Sequence, residues 1–219
     1  MSIGPNGNTS RGRTWKTAFP ALTDAHPVVG VSWTDATNFC AWLTDREHAA
    51  RSLAPNQRYA LPTAAQWSAM AGPVPYPWGS NYPPTPTQAN FAGQELAAHP
   101  DWPVGWRQLL FDFPSGASAF LAPAGSGAPN ARGFRDLGGN AAEWCADDYR
   151  SSMNDLNSWS VPSARLRDDQ GGHHYRVVRG GSWFDHNDPD LLRTSTHWAE
   201  TPDTRNDRIG FRIVIVESP

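Results

Sequence analysis

From residue 73 to about residue 130 the chain is mostly proline, glycine, alanine and tryptophan, and no helical or strand-like period persists there. A stretch this long without regular structure, inside a compact domain, is either functional or packed as tight loop. Its tryptophans favour packing, because an indole must bury its area somewhere. Across all 219 residues there are 11 Trp, 20 Pro and 19 Gly. Proline and glycine make up about a sixth of the chain, short of a low-complexity composition. The chain is long enough to bury a substantial core. The expectation is one α+β domain, residues 1–219, rich in loop and held together by buried aromatics.

Regular elements sit on either side of this run. "HPVVGVSW" (26–33) reads as a short buried strand. In the helix that follows, Ala36, Phe39, Cys40 and Leu43 keep the spacing of one buried face. Thr34 is the expected N-cap, with Asp35 in the first turn. A second helix, "TAAQWSAMAG", has capping-box spacing between Thr63 and Gln66 and stops at Gly72. "RGFRDLGGNAAEWCADDY" (132–149) is a glycine-rich turn followed by an acidic and aromatic segment. "YRVVRGG" and "GFRIVIV" read as strands. Between those two, residues 184–208 have no period at all.

Charge is close to balance, with a net of −3, so nothing supports a nucleic-acid partner. No 18-residue apolar run is present, so no membrane insertion is expected. The N-terminal residues lack an apolar signal core, which makes a cytoplasmic location the default expectation. Cys40 and Cys145 are too few for a disulfide framework or a zinc cluster and read as buried free thiols.

Taken in order, "HPVVGVSWTDATNFCAWL", "YALPTAAQWSAMAG", "YPWGSNY", "GFRDLGGNAAEWCADDY", "RVVRGGSW" and "RNDRIGFRIV" resemble the formylglycine-generating (sulfatase-modifying) family, a variant of the C-type lectin fold. The resemblance covers about residues 26–216. It implies two main helices, a small twisted antiparallel sheet and much irregular loop. Enzymes of that family carry a cysteine pair just after the Arg-Gly-Gly-Ser motif, used for copper and oxygen. The matching positions here are Asp185 and Asp190, and no cysteine follows Ala146. Cu(I) chemistry needs sulfur ligands, so no copper is expected. Related sulfoxide synthases use three histidines on iron. His173, His174, His186 and His197 lie close in sequence, but nothing fixes a third ligand.

The pattern is closest to a second subset of the fold, the variable proteins of diversity-generating retroelements. There, mutation at adenines rewrites the end of the gene between fixed framework blocks. This chain has such blocks at Arg179–Trp183 and Ile209–Arg212. The segment between them supplies the candidate ligand-binding residues: Phe184, Asp185, His186, Asn187, Asp188, Asp190, Thr194, Thr196, His197, Trp198, Glu200, Thr204, Asn206 and Asp207. Phe184 and Trp198 are the candidate anchors among adaptable polar groups. Trp183, Leu191, Leu192 and Arg193 read as packing. The expected partner is a protein or cell-surface ligand of unknown identity. Two other readings stay open: an oxidase or synthase relative with an altered active site, and a scaffold that docks one fixed partner.

The resemblance also implies a structural calcium site. Its matching ligands are Asp136, the Gly139 and Ala141 carbonyls, and Glu143; such oxygen donors suit calcium. A second family site would use Asn90 and the Phe91 carbonyl, with Asp112 in a loop that departs from the pattern. No Glu-Pro-Asn or Gln-Pro-Asp tripeptide occurs, so the fold does not imply sugar binding.

Overall fold

The computed structural model describes residues 22–100, 120–149, 175–185 and 189–217, together with single positions 102, 105, 107, 110, 111, 114 and 118. Helix α1 spans Trp33–Ala49 and α2 spans Ala64–Ala71. The strands are β1 (Gln57–Ala60), β2 (Ala142–Asp148), β3 (Arg176–Arg179), β4 (His197–Glu200), β5 (Ile209–Gly210) and β6 (Val214–Glu217). One sheet runs β4-β3-β2-β5 and a separate ribbon pairs β1 with β6. The larger sheet is mixed rather than antiparallel throughout, because β2 pairs with β5 in parallel.

Helix α1 starts two residues earlier than expected. Its N-cap is Ser32, not Thr34: the Ser32 hydroxyl accepts from the Asp35 amide, and the Asp35 carboxylate accepts from the Ser32 amide at 2.9 Å. Only Ala36 and Cys40 of the expected face are buried, while Phe39 remains 40% exposed. Helix α2 is capped as read, with Thr63 and Gln66 bonding reciprocally and Gly72 closing it at φ 88°.

Residues 26–32 do not form a strand. Gly30 takes a φ of 74°, which breaks the ladder, and its amide instead donates to the Asn206 carbonyl at 2.7 Å. The C-terminal run is also divided. Residues 209–210 join β2, residues 214–217 join β1, and between them Arg212 turns inward.

Among the described residues, four clusters of buried side chains make the core. Trp67, Trp102, Trp144 and Trp183 are each under 2% exposed or at that value. The described part of the aromatic-rich run packs, with Tyr76, Phe91, Leu96, Trp102 and Phe111 in these clusters. Both cysteines are free and buried. Burial pushes the Cys40 thiol up to about 11, and pushes Cys145 up further with the help of the Glu143 charge.

Candidate functional site

The segment 184–208 is held mainly through its own backbone. The Asp185 carbonyl accepts from the Ala92 amide, Pro202 from Trp33, Asn206 from Gly30 and Arg208 from Ala142. Two framework side chains grip it in the same way. The Arg179 guanidinium, stacked 4.6 Å over the Trp67 ring, donates to the Thr194 carbonyl at 2.7 Å. The Trp183 indole donates to the Asp207 carbonyl at 2.9 Å. Strand β4 adds a ladder on β3, with Arg179 opposite His197 and Arg176 opposite Glu200. None of these bonds depends on which side chain the segment carries.

The structure separates the candidate residues into two groups. Thr194, Thr196, Asn206 and Asp207 are buried. The Thr196 hydroxyl donates to the Asp190 carbonyl, and the Asn206 side chain accepts from the Arg208 and Ile209 amides at 3.0 and 2.9 Å. These four side chains point into the framework and do not form part of an exposed face. The Asp185 carboxylate likewise closes a turn, accepting from the Ser182 amide at 2.6 Å.

The second group lies at or near the surface. Asp190, with its side chain 51% exposed, pairs with Arg193 at 2.5 Å from a short 3-10 helix, Pro189–Leu192. Phe184 is half-buried, 5.8 Å from the Trp102 ring and with the Arg208 guanidinium 4.8 Å above it. His197 bonds the Ser195 carbonyl and lies 6.2 Å from the Tyr149 ring. Trp198 packs partly against the cluster under α1. Glu200 accepts from the Thr204 hydroxyl at 3.3 Å; burial raises its carboxyl pKa, with Arg208 and Thr204 pulling the other way. His186, Asn187 and Asp188 lie outside the described residues, as do His173 and His174.

Both carboxylates of the expected calcium set are otherwise engaged. Glu143 accepts from the Trp67 indole at 2.8 Å and from Arg212 Nε and Nη2, each at 2.6 Å. Arg212 Nη2 also donates to the Arg135 and Asp136 carbonyls. Burial opposes the Arg212 charge, but Glu143 more than offsets this and raises the guanidinium pKa. The Asp136 carboxylate accepts from the Gly125 and Gly127 amides. As arranged, Asp136 and Glu143 do not fit calcium: a guanidinium already supplies the charge, and the carboxylate oxygens already have donors. No group of three or more His, Cys, Asp or Glu suited to a metal occurs among the described residues. Asn90 differs. It is 6% exposed and its Oδ1 has no hydrogen-bond partner among the described residues. That open oxygen suits a cation; of its expected partners, the Phe91 carbonyl accepts from the Gly93 amide at 2.8 Å and Asp112 lies outside the described residues.

The sequence reading did not find the Arg212–Glu143–Trp67 group. Its only signal was an arginine at the end of the second framework block. It also missed Arg205, whose guanidinium binds both Asp35 oxygens across 170 residues at 2.9 and 3.0 Å.

The mixed sheet, the two capped helices and the loop clasped between Arg179 and Ile209 define a C-type lectin fold of the formylglycine-generating type. The family model for the sulfatase-modifying factor enzyme 1-like domain matches residues 5–216, and the chain belongs to that family. The protein called inactive C-alpha-formylglycine-generating enzyme 2 of Bos taurus is 30% identical over 200 residues, covering 85% of this chain and 49% of its own length. The formylglycine-generating enzyme of Thermomonospora curvata is 29% identical over 202 residues, covering 88% and 57%. Treponema denticola variable protein 1 shares the fold with a TM-score of 0.60 at 19% identity, covering 96% of this chain and 77% of that one. The chain spans about half the length of the curated relatives it matches. No helix among the described residues is long and apolar enough to cross a membrane.

Proposed function

We propose that this chain is a non-catalytic ligand-binding protein whose C-terminal face is diversified by a retroelement to recognise varied protein or cell-surface ligands. The observation that carries the reading is the main-chain clasp on residues 184–208. A scaffold that holds a segment by its carbonyls tolerates exchange of the side chains between them. The exposed Asp190 and the half-buried Phe184, His197, Trp198, Glu200 and Thr204 are then the positions that meet ligand. Buried Thr194, Thr196, Asn206 and Asp207 keep the segment's shape. At the two family cysteine positions, Asp185 closes a turn and Asp190 forms an ion pair, and neither is a thiolate.

The reading is tested at the gene. A neighbouring reverse transcriptase, and a near-copy of the segment coding for residues 176–216 that differs only at adenines, are expected. Their absence removes the diversification. A fixed docking scaffold would instead show little change at the surface positions among close relatives. The purified chain is further expected to consume no oxygen and to hold no stoichiometric iron or copper. Turnover with either metal would replace the binding reading with that of an oxidase or synthase bearing an altered site.

A structural calcium is proposed on the Asn90 side of the turn, not at Glu143. There it would supply a cross-link between loops and take no part in chemistry. At about 100 times its Kd, calcium would add about 2.7 kcal/mol of stability. The expected result is a higher melting temperature for chelator-treated protein on adding calcium, with the gain lost in Asn90→Ala. A melting temperature indifferent to calcium in the native chain would sink the idea.

A further inference from the structure

A cleft of about 390 Å³ opens beside the glycine-rich turn, and no residue of the segment 184–208 lines it. Phe134, Phe211 and Pro27 line it, with Arg135, Arg212 and Glu143. The volume lies in the range of small-ligand sites, which combine apolar walls with a few polar groups.

Phe134 is held at the cleft by its backbone rather than by burial. Its amide donates to the Asn130 side chain at 3.0 Å, and its carbonyl accepts from the Asn130 amide at 2.8 Å. The ring is 38% exposed, so a fixed turn presents an aromatic face to solvent. Phe211 lies 5.6 Å from the Phe39 ring, and Phe39 lies 5.5 Å from Trp42, which is 53% exposed. The apolar wall therefore continues outward along α1.

The polar groups of the cleft are unevenly satisfied. All four carboxylate oxygens of Asp136 and Glu143 already accept hydrogen bonds. Arg212 uses Nε and Nη2, and its Nη1 has no hydrogen-bond partner among the described residues. Among the described residues, Arg135 uses only Nη1, which donates to the Gly127 carbonyl. What remains open is donor capacity on two guanidinium groups, beside two phenyl rings. A planar guanidinium with free N–H groups matches a carboxylate.

We infer that this cleft binds an apolar carboxylate, its hydrocarbon body against Phe134 and Phe211 and its anionic end on Arg212 Nη1 and Arg135. The carboxylate belongs either to a free small acid or to the C-terminus of a peptide ending in an aromatic residue. The site is independent of the proposed diversified face, so neither reading stands or falls with the other.

The test is a titration of the full chain followed by NMR, using 3-phenylpropanoate and 3-phenylpropanamide as probes. A second pair of probes is an acetylated pentapeptide ending in phenylalanine, as free acid and as amide. The acid of at least one pair is expected to bind about tenfold or more tightly than its amide, because the charge-assisted bond is lost in the amide. The pair that shows the preference identifies the source. Phe134→Ala and Arg135→Gln are each expected to weaken the acid severalfold while leaving the melting temperature nearly unchanged, since both residues are exposed. Equal binding of acid and amide in both pairs overturns the inference. So does the absence of shifts at cleft residues with either acid, or acid binding that both variants leave unaltered.

Discussion

Truncating Glu143 to alanine is expected to cost about 3–5 kcal/mol, the usual penalty for removing one partner of a buried ion pair. The Glu143 side chain is 8% exposed and that of Arg212 21%. Alanine would leave the guanidinium facing a low-dielectric interior and the buried Trp67 indole without its acceptor at 2.8 Å. An unsatisfied buried N–H alone costs about 1–3 kcal/mol. Since typical domains are stable by about 5–15 kcal/mol, the variant should be close to unfolding at physiological temperature. Urea denaturation of the purified variant measures this. The double variant Glu143→Leu/Arg212→Met separates charge from packing: replacing both ions by apolar groups should restore most of the loss. A single-variant cost below about 1 kcal/mol would show that the pair does not hold β2 to the C-terminal block.

That pair also explains why parts of the fold were legible in the sequence and others were not. Helix α2 could be read because everything that defines it is local: Thr63, Gln66 and Gly72 lie within ten residues of one another. Strand β2 could not be read, because no alternation marks it. Its first four residues, Ala142–Cys145, are all buried, since the sheet is covered on both faces there. The run from Ile209 looked like one strand, yet the chain leaves the sheet at Phe211 to bring Arg212 to Glu143, 69 residues away in sequence. Local pattern carries no information about such a partner.

The candidate face was legible in its limits and not in its interior. Arg179, Trp183 and Ile209 are buried framework, as their motifs suggested. Between them, residue type did not distinguish a threonine that meets solvent from one that closes a turn. Thr204 is half-buried and Thr196 is 2% exposed, although both look alike as polar residues in an irregular run. Strand β4 was hidden for a related reason. His197–Glu200 has no apolar alternation, and its place is set by a ladder to β3 that any side chains would allow.

Gly139→Ala is expected to be comparably severe, and it tests the framework without altering a charge. Gly139 has a φ of 83°, a region in which a Cβ is strained. A Cβ there would also lie 2.8 Å from the Asn90 carbonyl carbon and 2.9 Å from the Asn90 amide nitrogen, and nearer still to the carbonyl oxygen. These are backbone atoms in a bridge between the two residues, and the neighbouring Asn140 amide donates to that same carbonyl at 2.6 Å. No rotamer change relieves such a contact. Strain of about 1–3 kcal/mol at the positive φ and about 1–3 kcal/mol for overpacking together give a loss of about 4 kcal/mol. Because the turn is bridged to Asn90 and leads into β2, loosening it should also lower hydrogen-exchange protection at the amides of Ala122 and Trp183, which bond Asn140. Gly133→Ala is the matched control. It has a φ of 84° but nothing within 4 Å of an added Cβ, so it should show the strain without the collision. Equal losses for the two variants would mean that the approach of Gly139 to Asn90 contributes nothing to holding the site together.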